Sequence, residues 1–109
     1  MQLVNVTPHA ITILTDGADP VVLPVSGMIA RCATTTQDRG TVAGMPVTAT
    51  TFGEVVDLPA PQDGVAYVAS LLVVQAAWSV GRRDVYSPGV LVRDAAGLPV
   101  GCRGLSVPA

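Results

Sequence analysis

The chain has 109 residues, of which half are apolar and 13% are charged, and its formal net charge is −2 at pH 7. So little charge beside so much apolar content excludes an intrinsically disordered chain. The acidic balance argues against non-specific nucleic-acid binding, which needs a basic surface. The length predicts a single domain over residues 1–109. The scarcity of charge predicts that part of the surface is covered in a homo-oligomer.

Short extended segments fill the first third of the chain. Alternation of apolar and polar residues indicates half-buried strands at Gln2–Asn5 and Ile11–Thr15. The Asp16-Gly17 pair predicts a hairpin turn, after which Val21–Leu23 is expected to return as a strand. Met28–Cys32 is expected to be a fourth extended segment.

The middle of the chain is rich in threonine and gives weaker signals. We expect residues 33–44 to form a mobile loop or an irregular hairpin. Repeated threonine favours a strand over Pro46–Thr51, which Phe52-Gly53 is expected to interrupt. Glu54–Leu58 is expected to be another short strand, and Pro59–Gly64 a stiff turn.

The longest uncharged apolar run, Gly64–Val80, lies at the centre of the predicted fold. Its 17 residues reach the lower limit of the ~17–25 that span a bilayer, but three polar residues dilute it. We therefore predict a buried strand over Val65–Ala69, a turn at Ser70 and an apolar helix over residues 71–80, rather than a membrane span. The helix is expected to stop at Gly81, since glycine commonly ends helices.

Loops and strands alternate after this helix. Residues 82–89 form the most polar stretch and are expected to be a loop. Val90–Arg93 and Leu98–Cys102 are predicted to pair as strands around a turn at Asp94–Gly97. Gly104–Ala109 is expected to be a short tail with a last extended piece.

One helix among about eight short strands predicts an α+β domain. We expect a mostly antiparallel, curved or barrel-like sheet of short strands, with the apolar helix at about residues 71–80 packed against it. No second helix is predicted, so a complete βαβ unit is not expected. No His/Cys cluster or cofactor motif points to a metal or a cofactor.

The two cysteines are expected to be reduced. The chain begins directly as a polar-alternating strand, so no signal peptide is expected and a cytoplasmic location is favoured. In that compartment, free thiols at Cys32 and Cys102 are favoured over a disulfide.

Polar residues around the helix could bind a ligand. Ser70 could cap the helix or, with the free N–H groups of the first turn, help to hold an anion. Arg82, Arg83 and Asp84 follow the helix, where cations also stabilise a helix carboxyl end. The planar fork of Arg83 matches phosphate, and Asp84 could position an arginine or bind a ribose hydroxyl.

Two further arginines and the only histidine complete the candidates. Arg31 and Arg93 lie in predicted strands and either face outward or reach into a polar pocket. His9 follows Thr7-Pro8 in a tight turn, where a structural role is the ordinary one. In an enzyme His9 would be the general base, although no nucleophile stands in a recognised arrangement with it.

Several short motifs together resemble a family of small proteins from bacteriophages and actinobacteria that has no assigned activity. The opening VNVTPHAI of residues 4–11 is similar to the N-L-T-P-H start of that family, with Val6 where leucine is usual. The resemblance continues at Leu23-Pro24, Ser26-Gly27, Ala30-Arg31, Tyr67-Val68, Ser70, Arg83-Asp84, Pro88-Gly89, Val92–Asp94, Gly97 and Gly101-Cys102. It covers nearly the whole chain and implies a phage or prophage origin.

Three functional hypotheses follow. The first is a non-catalytic, homo-oligomeric phage protein that sequesters a phosphate-bearing nucleotide signal of host immunity. The second is a small phosphodiesterase- or lyase-like enzyme with His9 as base, and the third is a structural or assembly protein of a phage. The candidate ligand-binding residues are Asn5, Thr7, His9, Arg31, Ser70, Arg83, Asp84, Tyr86 and Arg93.

Overall fold

The computed structural model describes all residues, 1–109, as eight strands and one helix. The elements in chain order are β1 (Gln2–Asn5), β2 (Ile11–Leu14), β3 (Val21–Leu23), β4 (Arg31–Val42), β5 (Met45–Val56), β6 (Val65–Val68), α1 (Leu71–Ser79), β7 (Val85–Arg93) and β8 (Pro99–Ser106). The α+β class and the single apolar helix are as predicted.

Six strands form one mixed sheet in the order β1-β6-β7-β8-β2-β3. The pairs β1/β6, β6/β7 and β2/β8 are parallel, whereas β7/β8 and β2/β3 are antiparallel. The prediction of a mostly antiparallel sheet is therefore wrong. It assumed that neighbours in sequence pair as hairpins, but β1 pairs with a strand about 60 residues further along the chain, a non-local pairing that no local pattern reveals.

The sheet is strongly curved and nearly closes into a barrel, which confirms the expected curvature. Its two edge strands, β1 and β3, meet where the side-chain nitrogen of Asn5 donates to the carbonyl of Leu23 at 3.1 Å. The chain after β3 continues the closure, because the amide of Ser26 donates to Asn5 at 3.2 Å and that of Ala30 to Val6 at 3.0 Å. Met28 and Ile29, expected to be strand, lie in this connection, and β4 begins only at Arg31.

A long two-stranded hairpin, β4–β5, forms a separate sheet. We call it the arm. Residues 33–44, expected to be a loop or irregular hairpin, belong almost entirely to β4, and the two short strands predicted over Pro46–Leu58 are one strand, β5. Bulges absorb the irregular residues: the register shifts between Cys32 and Thr34 and between Asp38 and Thr41. Threonine-rich strands with bulges can thus remain continuous.

The central apolar run divides into β6 and α1, as predicted. No helix in the structure is long and apolar enough to span a bilayer. Because β6 and β7 are parallel neighbours and α1 connects them, β6-α1-β7 is a βαβ unit. The expectation that such a unit is absent is wrong, since one crossover helix is sufficient.

The sheet separates two apolar clusters. The larger lies between the sheet, α1 and the base of the arm, and is centred on Val6, Val74 and Val85. The smaller comprises Ile13, Leu23, Val68 and Cys102. Cys32 packs against the first cluster and Cys102 belongs to the second, and both are free thiols.

The last two strands are longer than predicted. β7 begins at Val85, inside the expected loop of residues 82–89, and β8 runs on to Ser106, into the expected tail. Glycine and proline in both segments concealed the strands. They are nevertheless part of the ladder, since Pro88 pairs with Leu105 and Val92 with Gly101.

Candidate functional site

The carboxyl ends of the parallel strands β1 and β6 meet at one rim of the sheet, beside the start of β7. The amide of Val6, after β1, donates to Val68 at 2.9 Å, and that of Ala69, after β6, donates to Tyr86 in β7 at 2.8 Å. The segment before β4 joins them through the 3.0 Å bond from Ala30 to Val6. We call residues 5–9, 26–31 and 69–72 the carboxyl rim. Ligands of open α/β sheets bind at such a rim, beyond the carboxyl ends of the strands.

The buried side chain of Asn5 holds the first segment of the carboxyl rim in place through hydrogen bonds. It is 2% exposed, and all its side-chain bonds are internal. Its oxygen accepts from the amide of Thr7 at 2.9 Å and from the Thr7 hydroxyl at 2.6 Å, while its nitrogen donates to the carbonyls of His9 at 2.8 Å and Leu23 at 3.1 Å. Asn5 and Thr7, two candidate ligand-binding residues, therefore shape the rim with groups that a ligand would have to displace.

Ser70 begins α1 at the carboxyl rim and is exposed. Its backbone is extended, at φ −64° and ψ 157°, as in a helix cap, but its hydroxyl makes no capping hydrogen bond. The first-turn N–H groups have no intrahelical acceptor, so the helix presents partial positive charge here. No acidic residue occupies the first turn to neutralise it. The hydroxyl and these N–H groups can together bind an anion.

Arg31 supplies an exposed positive charge at the carboxyl rim, one residue before Cys32, whose thiol lies 3.6 Å from the carbonyl of Leu72 in α1. Its guanidinium lies 4.0 Å from the carboxylate of Asp57, and the two side chains are 73% and 67% exposed. An exposed ion pair of this length holds its partners weakly. Asp57 also lines a cavity of about 510 Å³ with Gly27, Met28, Ile29, Leu58 and Pro59. A cation thus stands next to a shallow depression whose wall is mostly apolar.

The His9 imidazole is exposed and makes no hydrogen bond within the chain. Only its backbone is tied down, since its carbonyl accepts from Asn5 at 2.8 Å and its amide lies 3.4 Å from the Thr7 hydroxyl. The turn therefore presents the ring to solvent at the rim, where it can meet a ligand.

Three other candidates line a second cavity near the amino end of β6, although the carbonyl of Tyr86 accepts from Ala69 at the carboxyl rim. Arg83, Asp84 and Tyr86 line a cavity of about 420 Å³ together with Met1, Pro61, Val65, Ala66, Gly81 and Arg82. Arg82, which was not among the candidates, forms the ion pair: its Nε and Nη2 each donate to Asp84 at 2.8 Å, and Nη2 donates to Pro59 at 3.0 Å. These bonds lower the pKa of Asp84 and raise that of Arg82.

Arg83 is also held within the chain. Its guanidinium lies 4.5 Å above the centre of the Trp78 ring, and Nη1 donates to the carbonyl of Trp78 at 2.8 Å. A cation that covers the last carbonyls of a helix stabilises the helix. The charged groups of this second cavity are held by bonds of 2.8 Å, whereas Arg31 at the carboxyl rim has only the exposed 4.0 Å pair with Asp57.

Arg93 joins neither group. It lies seven residues beyond Tyr86 along β7, about 23 Å at the strand rise of about 3.3 Å per residue, and its Nη1 donates to Gly97 at 2.8 Å across the β7–β8 turn. The structure thus brings Asn5, Thr7, His9, Arg31 and Ser70 to one rim. It gathers Arg83, Asp84 and Tyr86 elsewhere.

Sequence reasoning missed Asp57 and the cavity that it lines. The feature that sets Asp57 apart is visible only in the structure. Its backbone has φ 61°, a left-handed conformation uncommon outside glycine, at the end of the arm. In the sequence, Asp57 stands in an expected strand with nothing to distinguish it.

The chain was compared with known proteins at three levels. No family model, no curated protein and no solved structure matches it.

Proposed function

We propose that the protein is a non-catalytic binding protein of phage origin. It holds a small phosphate-bearing molecule, a nucleotide signal of host immunity, at the carboxyl rim and so removes that signal from solution. The protein acts in the host cytoplasm and is a homo-oligomer. The phage context rests on the motif resemblance, and the ligand class rests on the chemistry of the rim.

One observation carries the ligand class. Arg31 and the amino end of α1 belong to the same rim, and neither is firmly held: Arg31 has only an exposed ion pair of 4.0 Å with Asp57, and Ser70 makes no capping bond. Helix N–H groups and an arginine fork are the two protein groups that bind phosphate best. Anion binding explains why neither Arg31 nor the first turn of α1 has a close partner within the chain.

The neighbouring cavity supports a nucleotide rather than a free phosphate ion. Met28, Ile29 and Leu58 give it an apolar wall, against which a base or ribose can pack. Asp57 is an acceptor for sugar hydroxyls or base N–H groups, and the arginine it contacts is the one that would bind phosphate. The exposed ring of His9 lies on the turn after β1, at the same rim, and can contact the bound ligand.

Isothermal titration calorimetry with 3′,3′-cyclic di-AMP and with ADP-ribose tests this proposal directly. We expect saturable binding of one of the two. Arg31→Ala should weaken it about tenfold or more, because a charged hydrogen bond contributes about 1.5–3 kcal/mol. Ser70→Ala should weaken it by a few-fold. Arg103→Ala is the matched control, since Arg103 is exposed and pairs with Asp16 on another part of the sheet.

Two results would contradict the proposal. The first is unchanged affinity in both Arg31→Ala and Ser70→Ala. The second is an absence of added mass, by native mass spectrometry, on protein isolated from a host whose defence system is producing nucleotide signals. The enzyme hypothesis predicts something different: His9→Ala would abolish turnover of the bound nucleotide and leave its affinity intact.

A further inference from the structure

The protein exposes far more surface than a compact chain of this size. The protein has an accessible surface of 7193 Å² and a mass of 11.1 kDa, whereas a compact monomer of that mass exposes about 5,650 Å². Its radius of gyration is 16.6 Å, against about 13 Å expected for 109 residues. The excess of about 1,500 Å² is well above the ~800 Å² that each partner contributes to a standard protein interface.

The arm has no support within its own chain beyond its base. Its two strands have 12 residues each, none of them buried, and pair only with each other. An isolated two-stranded hairpin is at best marginally stable in water. Its tip is nevertheless apolar: Val42 and Met45 flank the Ala43-Gly44 turn and are 66% and 68% exposed.

A groove at the base of the same arm is suited to this tip. It has a volume of about 820 Å³ and lies between residues 52–55 of β5 and α1. Apolar side chains predominate in it, including Phe52, Leu72 and Val80. From Met45 to Glu54 the strand covers nine residues, about 30 Å at about 3.3 Å per residue, so the tip cannot reach the groove of its own chain.

We propose that the arm is a dimerisation element and that the tip of each arm occupies the groove of a second copy of this chain. Because tip and groove lie at opposite ends of one arm, two antiparallel arms related by a two-fold axis bring both tips to both grooves. Such a two-fold interface is self-complementary and closed, so it yields a dimer and not a filament.

Two charged residues of the arm, one at each end, agree with this arrangement. Arg39, in the bulge next to the tip, and Glu54, at the groove, make no ion pair within the chain. Reciprocal docking brings each Arg39 to the end of the interface that holds the partner's Glu54. Neighbouring Asp38 is already occupied, since its carboxylate accepts from the amide of Gly40 at 2.8 Å. The groove shares Leu72 with the carboxyl rim and Leu58 with the cavity beside it, but the inference does not rest on ligand binding there.

Analytical ultracentrifugation of the full chain tests the interface first. We expect a dimer whose dissociation constant rises about tenfold or more in Met45→Glu, because a charge would enter an apolar groove. Val90→Glu is the matched control: Val90 is equally exposed on β7, away from arm and groove, and should leave the dimer unchanged.

Charge reversal and cross-linking then test the orientation. Arg39→Glu should weaken the dimer and the double variant Arg39→Glu/Glu54→Arg should restore it. In a Cys32→Ser/Cys102→Ala background, Met45→Cys with Gln75→Cys should form an intermolecular disulfide on mild oxidation, and Met45→Cys with Val90→Cys should not. The inference is overturned by a monomer at every concentration, by a dimer insensitive to both Met45→Glu and Arg39→Glu, or by cross-linking to position 90 and not to position 75.

Discussion

The side-chain nitrogen of Asn5 donates a 3.1 Å hydrogen bond to the carbonyl of Leu23 across the opening between the two edge strands of the six-stranded sheet. The same carboxamide holds the Thr7–His9 turn through bonds of 2.6 to 2.9 Å. One buried side chain therefore both closes the sheet and shapes the rim where we propose that a ligand binds. Buried polar networks of this kind fix a single arrangement when all members are satisfied.

Asn5→Ala should destabilise the protein by about 2–4 kcal/mol, because the Leu23 carbonyl and the Thr7 groups lose buried partners. Asn5→Asp should cost more at neutral pH, since a carboxylate cannot donate to the carbonyls of Leu23 and His9. Acidification that protonates this carboxylate should recover part of the loss. Urea unfolding measures both variants.

Gln2→Ala is the control for this experiment, because Gln2 is an exposed amide on the same strand. Its free energy of unfolding should stay within about 0.5 kcal/mol of the parent value. An Asn5→Ala variant as stable as Gln2→Ala would mean that the hydrogen bonds of Asn5 do not hold the sheet closed.

The Arg82–Asp84 pair should make stability depend on pH. The pKa of Asp84 lies below its ordinary value, chiefly because its carboxylate accepts two hydrogen bonds from Arg82. The contribution is therefore fully present above the unfolded pKa of about 3.9 and is lost as pH falls through the lower folded pKa. Asp84→Asn should lower the free energy of unfolding by about 1–3 kcal/mol at pH 7, and the gap from the parent should narrow below about pH 4.

Asp16→Asn provides the comparison for that pair. Asp16 accepts from Arg103 at 2.6 Å, but its side chain is 94% exposed, so the pair is solvated. Its loss should change the free energy of unfolding by less than about 1 kcal/mol. A pH-independent difference between the parent and Asp84→Asn, measured by urea titrations from pH 2.5 to 7, would contradict the assignment.

Local patterns were sufficient for the elements whose burial is simple. The strands β1, β3 and β6 and the helix α1 lie within about one residue of their predicted bounds, since alternation and apolar runs report burial directly. The arm gave a partial signal: repeated threonine predicted a strand over Pro46–Thr51, but nothing predicted that β4 and β5 each run unbroken, because neither strand has a buried residue. The parallel pairing of β1 with β6 could not be predicted for another reason. It joins segments about 60 residues apart, and local sequence patterns do not report such contacts.

The candidate residues were chosen from the sequence, but their arrangement could not be predicted from it. Sequence proximity grouped Arg83 with Asp84, yet the bidentate partner is Arg82, two residues away, because Arg83 turns back onto Trp78. Choosing between adjacent arginines requires knowing where the helix ends and which way its last turn faces. Asp57 was missed because its position depends on where the arm rejoins the sheet.

Gly89 is a position where only glycine fits. A Cβ there would run into the carbonyl oxygen of Arg103 and come within 2.9 Å of that of Gly104, both backbone atoms of the paired strand β8. Since backbone cannot yield without opening the β7–β8 ladder, Gly89→Ala should destabilise the protein by about 3 kcal/mol or more. Thermal unfolding monitored by circular dichroism measures the change.

Gly53→Ala makes the matched substitution in the arm. Its Cβ would find the nearest atom, the carbonyl oxygen of Ala33, at 3.6 Å, which is an ordinary contact. It should be neutral or slightly stabilising, by up to about 1 kcal/mol, because alanine restricts the unfolded chain. Equal melting temperatures for Gly89→Ala and Gly53→Ala would contradict the close approach of β7 and β8.

Ala43, in the turn at the arm tip, has a strained backbone conformation that asparagine adopts more readily. Ala43 has φ 51° and Gly44 has φ 79°, so both central residues of this two-residue hairpin are left-handed. Such turns favour asparagine followed by glycine, and alanine loses about 1–2 kcal/mol in this conformation. Ala43→Asn should therefore slow amide hydrogen exchange in β4 and β5 by about threefold to tenfold, equivalent to about 0.6–1.4 kcal/mol. Ala18→Asn, at an exposed turn residue without a positive φ, should not slow exchange in the arm. Faster exchange in Ala43→Asn would show that the tip does not form this turn.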